Sequence, residues 1–216
     1  MRAVIPFDVS TPKQRLSPVL EPAERTAFAR AMLQDVLDAM APTPLEPTVL
    51  ATAPIEDSID ASTRVDDRPL DAAIDAEIEA GTPVAVIMAD LPLVEPASLE
   101  RLADTPGDVV FAPGRGGGTN AMVVRNPAFS VDYHGVSIRD HRSIAHERDL
   151  SVGEVDSYRL GTDIDAPEDL LEVLLHGAGE SRTFLCDAGF GIETRSGRGT
   201  VRRTGDEADS SGTPRR

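Results

Sequence analysis

Residues Val84-Ala85-Val86-Ile87-Met88-Ala89 are apolar without interruption, and this run constrains the fold more than any other segment. A strand with one wet face alternates apolar and polar residues. A strand with no polar position must be covered on both faces, as in the middle of a parallel sheet sandwiched between helices. The flanking segments agree. Ala3-Val4-Ile5-Pro6-Phe7 reads as a buried first strand and Thr48-Val49-Leu50-Ala51-Thr52 as a second. Between them Pro22 opens a helix in which Phe28, Met32, Val36 and Met40 recur at helical spacing, ending near Pro42. Leu70, Ile74 and Ile78 mark a helix closed by Gly81, and Leu99 and Leu102 after Pro96 a short one. Val109-Val110-Phe111 and Ala121-Met122-Val123-Val124 flank a glycine-rich turn, Gly114 to Gly118. A helix from Ser137 to about Asp149, a strand from Val155 to Leu160 and a last helix from Pro167 to Leu175 complete the order. This alternation predicts a three-layer α/β fold, a mainly parallel sheet with helices on both faces.

The 216 residues suit one domain and an appendage. The domain is expected over residues 1–176. From Gly177 onward Gly, Ser, Thr and Arg dominate, and the segment reads as a polar tail, disordered at least from Thr194 to Arg216. Net charge is −16; residues 177–216 carry seven arginines and six acids, which leaves −17 on residues 1–176. So acidic a body argues against a nucleic-acid or anionic-membrane partner. It fits a salt-adapted surface or simply a solvated acidic face. Cys186 is the only cysteine, which excludes a disulfide framework and fits a reducing cytoplasm. No stretch is long enough for an apolar membrane span.

Lys13 is the only lysine beside twenty arginines. It lies in the polar loop after the first strand, followed by Arg15. An ammonium is a compact point charge that reaches one phosphate oxygen where a planar guanidinium does not. Two strand-like runs end in carboxylates, at Asp90 and at Asp163-Ile164-Asp165. Asp90 follows the most buried strand, where open α/β sheets place ligand groups, although Asp before Leu-Pro also ends a strand without further purpose. Asp165-Ala166-Pro167-Glu168 has the pattern of a capping box, so Asp165 reads as a helix cap and Asp163 as the residue facing the crevice. Two carboxylates beside phosphates make a hard-oxygen site suited to Mg²⁺. The Gly114–Gly118 turn is not a Walker motif; a flexible hairpin and an anion-binding loop fit it equally. Ser137 is most simply a helix cap, though such a terminus also suits an anion. His134, His141 and His146 have neither metal-ligand spacing nor carboxylate company and read as surface or helix-face residues.

Lys13-Gln14-Arg15-Leu16-Ser17-Pro18, Asp90-Leu91-Pro92, Gly117-Gly118-Thr119-Asn120-Ala121 and Asp163-Ile164-Asp165-Ala166-Pro167-Glu168-Asp169-Leu170 occur in this order. Together they resemble the 2-phospho-L-lactate guanylyltransferase family of coenzyme F420 biosynthesis, over roughly residues 1–175. Related sugar- and molybdopterin-activating enzymes carry glycines in the first loop, where this chain has Asp8-Val9-Ser10-Thr11. The resemblance implies a nucleotide-diphospho-sugar transferase-like fold, a homodimer, GTP as donor, a small phospho-acid as acceptor, and Mg²⁺. By position it implies Asp90 and Asp163 as metal ligands and Lys13 and Arg15 on the GTP phosphates. Thr119, Gly135 and Ser137 would then hold the acceptor. Tyr133-His134-Gly135-Val136 departs from the family's usual Phe-Gly-Pro here. Phospholactate, phosphoenolpyruvate and phosphoglycerate all remain open as acceptors. Another nucleotidyltransferase, a metal-dependent glycosyltransferase and a non-catalytic nucleotide-binding regulator are the competing readings.

Overall fold

The apolar run forms β4 (Val84–Ile87), and all four of its residues are buried. In the computed structural model, which describes residues 1–56, 59–195 and 197–204, β4 lies in mid-sheet. It runs parallel to β1 (Arg2–Phe7), pairing Val4 with Val86, and antiparallel to β6 (Thr119–Val124), pairing Val86 with Met122. With β2 (Glu46–Ala51), β3 (Ser62–Val65), β5 (Val109–Pro113) and β7 (Val152–Glu154) the sheet has seven strands in the order β3-β2-β1-β4-β6-β5-β7. Only β6 runs against its neighbours, because the Gly114–Gly118 turn folds β5 back onto it.

Strand residues alternate between two apolar layers. Ala3, Ile5, Ala85, Ile87, Val110, Ala121 and Val123 pack toward α1 (Pro22–Met40) and α3 (Pro96–Asp104). Val4, Val84, Val86, Val109, Phe111, Met122 and Val124 pack toward α2 (Leu70–Ala80) and α4 (Ser137–Glu147). The expected three-layer architecture is therefore the observed one. Burying each large apolar side chain contributes about 1.5–3 kcal/mol, so this double-sided core provides most of the driving force for folding.

Three expected elements differ. The strand expected over Val155–Leu160 is instead β7, earlier, and a single helical turn, α5 (Tyr158–Gly161), in which the Ser157 side chain accepts from the Leu160 N–H. The cap assigned to Asp165 belongs to Asp169, whose carboxylate accepts from the N–H groups of Asp165 and Ala166 at 3.0 and 2.8 Å. The 3-10 turn Pro167–Asp169 then leads into α6 (Leu170–His176).

The third correction concerns the boundary at residue 176. The chain continues as α7 (Glu180–Asp187) and an antiparallel hairpin, β8 (Phe190–Arg195) with β9 (Arg198–Arg203). Leu185 and Phe190 share a buried cluster with Leu16, Phe28, Met32 and Leu170. Asp35 on α1 accepts from the N–H groups of Glu180 and Ser181 at 2.6 and 3.1 Å, so it caps α7 from another helix. Arg203 stands 4.9 Å above the Phe190 ring and donates to Glu24. The disorder expected from Thr194 therefore does not hold through Thr204. For residues 205–216 that expectation lies outside the described residues.

Candidate active site

The parallel strands β1, β2 and β4 end at one edge of the sheet, and a cavity of about 450 Å³ opens there, where ligands of open α/β sheets bind. Its walls include Phe7 and Asp8 at the end of β1, Leu50 and Thr52 at the end of β2, and Met88, Ala89 and Asp90 just past β4. Lys13 and Arg15 from the first loop and Asp165 close its polar end.

Lys13 is the centre of that end. Its Nζ lies 2.6 Å from Asp90 Oδ2 and 2.6 Å from Asp165 Oδ1. Its backbone is left-handed, φ 54° and ψ 46°, a conformation that costs a non-glycine residue about 1–2 kcal/mol and marks a position held by its surroundings. Burial opposes the ammonium's charge, but Asp90 and Asp165 outweigh it and hold the Lys13 pKa above its ordinary value. Arg15 stands at the mouth, its Nη1 3.8 Å from Asp165 Oδ2 and its side chain largely exposed.

The loop bearing Asp163 and Asp165 is tied to the end of β4 by the backbone: Ile164 N–H donates to the Asp90 carbonyl at 3.1 Å. Asp163 is oriented by Asn120, whose Nδ2 donates to its Oδ1 at 3.0 Å and to the Leu160 carbonyl at 2.9 Å. Asp165, expected to cap a helix, is thus the residue paired with Lys13, and Asp163 is the one held from β6. Asp90 Oδ1 is buried and has no hydrogen-bond partner among the described residues. A buried carboxylate oxygen without a donor is costly. Lys13 is the cation between Asp90 and Asp165 here; carboxylate oxygens of this kind suit Mg²⁺, although among the described residues Asp90, Asp163 and Asp165 do not converge on one point as a three-carboxylate group.

Thr119 and Ser137 meet in a second, buried corner, with oxygens 3.4 Å apart. Ser137 is the first residue of α4 rather than its cap, which is Val136, so its hydroxyl faces Thr119 instead of the helix end. Gly117 and Gly135 both have positive φ, +88° and +61°, and the Gly117 carbonyl accepts from the Ile138 N–H at 3.2 Å. These contacts join the β5–β6 turn to the start of α4.

His141, expected as a surface or helix-face residue, lies on the inner face of α4 and is fully buried. Its Nδ1 is 2.8 Å from Thr119 Oγ1, and its Nε2 accepts from the Asp132 N–H at 2.9 Å. Ile138, His141 and Ala145 share one helix face, the spacing signal that marks His141 as a core residue. Burial pushes its pKa down to about 4 against the opposing pull of Asp132, Asp71 and Asp140. His134 does have carboxylate company, Asp132 at 3.0 Å and Asp71 at 3.1 Å. Those partners come from separate segments, out of reach of a spacing rule, and the ring stays exposed.

The chain matches a family described as "Guanylyl transferase CofC like" over residues 1–204. It belongs to the CofC-like guanylyltransferase family. The match takes in α7 and the C-terminal hairpin, in keeping with their place on the common core. The chain is 56% identical over 204 residues to a 2-phospho-L-lactate guanylyltransferase of Halomicrobium mukohataei, covering 94% of this chain and all of that protein. It is 54% identical over 205 residues to the enzyme of the same name from Natronomonas pharaonis, covering 95% and 100%. Its fold resembles a Desulfovibrio desulfuricans protein described as a nucleotide-diphospho-sugar transferase, with TM-score 0.67, 14% identity, and coverage of 86% of this chain and 94% of that one. At that identity the likeness speaks for the fold alone.

Proposed function

We propose that this protein transfers GMP from GTP to the phosphate of 2-phospho-L-lactate, or of phosphoenolpyruvate. The products are a lactyl-diphospho-guanosine, or its enolpyruvyl counterpart, and pyrophosphate, in coenzyme F420 biosynthesis. The observation that carries the reading is the buried Lys13 ammonium bridging Asp90 and Asp165 at the polar end of the 450 Å³ cavity. That arrangement suits phosphates, and family membership names the transferred group. Activity in the cytoplasm as a homodimer belongs to the same proposal.

An oxygen of the acceptor's phosphate attacks the α-phosphorus of GTP. One P–O bond forms as the bond to the α,β-bridging oxygen breaks, and pyrophosphate leaves with that electron pair. A phosphate monoester has its second pKa at about 6 and is largely dianionic at neutral pH, so no general base is needed. The difficulty is that two anions must meet, which makes positioning and charge neutralisation the main contributions. Lys13 offers its ammonium to the triphosphate, and Arg15 at the mouth meets phosphates on entry. Thr119, Ser137 and the Gly135 backbone hold the acceptor's anionic groups at the start of α4. Asp90 and Asp163 would hold Mg²⁺, which neutralises phosphate charge when bound, while Asp165 orients Lys13.

The test is pyrophosphate release from GTP and Mg²⁺ with 2-phospho-L-lactate, phosphoenolpyruvate or phosphoglycerate in turn, for the native protein and Asp90→Asn. Acceptor-dependent release that falls by about 100-fold or more in the variant supports the reading. Release that needs no acceptor, or that Asp90→Asn leaves intact, refutes it.

A further inference from the structure

Thr119 Oγ1 lies 2.8 Å from His141 Nδ1, while the other ring nitrogen, Nε2, accepts from the Asp132 N–H at 2.9 Å. A backbone N–H only donates, so Nε2 must carry the lone pair and a neutral ring has its one proton on Nδ1. Nδ1–H therefore donates to Thr119 Oγ1, and the hydroxyl's own proton points away from the ring. Ser137 Oγ, 3.4 Å away, donates its own proton to Thr119 Oγ1 and so does not take that of Thr119.

The imidazole has no freedom to choose otherwise. It is fully buried, stacked on Phe111 with centroids 5.9 Å apart, and met edge-on by Tyr133 at 5.0 Å. With the opposite tautomer, Thr119 would donate into the ring and turn only lone pairs toward the corner, repelling an anion. We propose that His141 is a positioning residue of the acceptor site, fixing Thr119 as a hydroxyl donor aimed at the acceptor's anionic group. The inference rests on the reading above, in which Thr119 and Ser137 face the acceptor. One helix, α4, then carries both His141 and Ser137, so the corner's donors are set by a single rigid element. The His141 pKa, depressed by burial, agrees with a neutral ring that carries a single N–H.

The test measures KM for 2-phospho-L-lactate, KM for GTP and kcat in His141→Phe and His141→Asn, each alone and with Thr119→Val. His141→Phe keeps an aromatic ring in the core but removes the donor. It should raise the acceptor KM by about 10-fold, the worth of one oriented hydrogen bond, and leave the KM for GTP unchanged. His141→Asn places an amide N–H near the position of Nδ1–H and should recover most of that loss. In the Thr119→Val background His141→Phe should add less than about 2-fold, because its effect passes through the hydroxyl. Nitrogen-15 NMR of the native imidazole should find the proton on Nδ1. A proton on Nε2, an unchanged acceptor KM, or equal losses with and without Thr119 would each overturn the proposal. The NMR result requires neither turnover nor a folded variant. Native protein that releases no pyrophosphate with any phospho-acid would remove the substrate reading instead, and leave the tautomer to be judged alone.

Discussion

Replacing Lys13 by arginine keeps the charge and changes only its shape, which makes it the sharpest probe of the polar end of the cavity. In the structure one nitrogen makes two contacts of 2.6 Å, to Asp90 and to Asp165, on a side chain only 11% exposed. A guanidinium spreads its donors over a plane and cannot present a single point to two carboxylates and then to one phosphate oxygen. Room for the larger group exists in the adjoining cavity, so the fold should lose about 1 kcal/mol or less. Arginine keeps a charge for Asp90 and Asp165 but misplaces the donor to phosphate; one charge-assisted hydrogen bond to the reacting phosphates is worth about 1.5–3 kcal/mol, so kcat/KM should fall by about 10-fold or more. GTP- and acceptor-dependent pyrophosphate release is the assay, with thermal unfolding as the control. Near-native turnover by Lys13→Arg would refute the reasoning and make the lone lysine an accident of composition.

Asp90→Asn, Asp163→Asn and Asp165→Asn should each lower turnover by about 100-fold or more; an Asp165→Asn enzyme of near-native rate would return that residue to a structural role. Truncation after His176 should unfold the protein or expose its core, since Leu185 and Phe190 are buried against α1 and α6, each contributing about 1.5–3 kcal/mol. Truncation after Thr204 should leave melting temperature and activity unchanged, and a fall in either would show that the last residues contribute. Acid should weaken the fold through His141. Its folded pKa is about 4 against an ordinary 6.5, so the unfolded chain binds more protons between those values and stability falls as pH drops through that window. The contribution is present in full above the upper value, and losing it amounts to about 3 kcal/mol. His141→Phe should be less acid-sensitive than the native protein by that amount in denaturant titrations; equal sensitivity would sink the assignment.

The layers of the fold were legible because apolar runs such as Val84–Ile87 and the spacing of Phe28, Met32 and Val36 report burial directly. The β3 strand left no such mark: all four of its residues are exposed, and backbone pairing with β2 alone defines it. The C-terminal hairpin was misread for a related reason. Its Arg, Gly and Thr residues look like a solvated tail, yet Phe190 beneath Arg203, and Asp35 capping α7 across the chain, anchor it. In the site, Lys13 and Asp90 stood out by rarity and by position at a strand end. Asp165 was obscured by a capping pattern that Asp169 in fact satisfies. His141 was missed because its meaning lies in partners 9 and 22 residues away, Asp132 and Thr119, although its place on the Ile138–Ala145 face was readable.

The central claim, attack by an acceptor phosphate on the α-phosphorus of GTP in the Lys13–Asp90–Asp165 cavity, is tested most directly by following one oxygen atom. GTP carrying oxygen-18 at the α,β-bridging position is turned over with 2-phospho-L-lactate, and both products are read by mass spectrometry. The expected outcome is a guanosine product that retains the acceptor's phosphorus, with the label wholly in the released pyrophosphate. Label retained in the guanosine product, or free GMP with no acceptor attached, would contradict it.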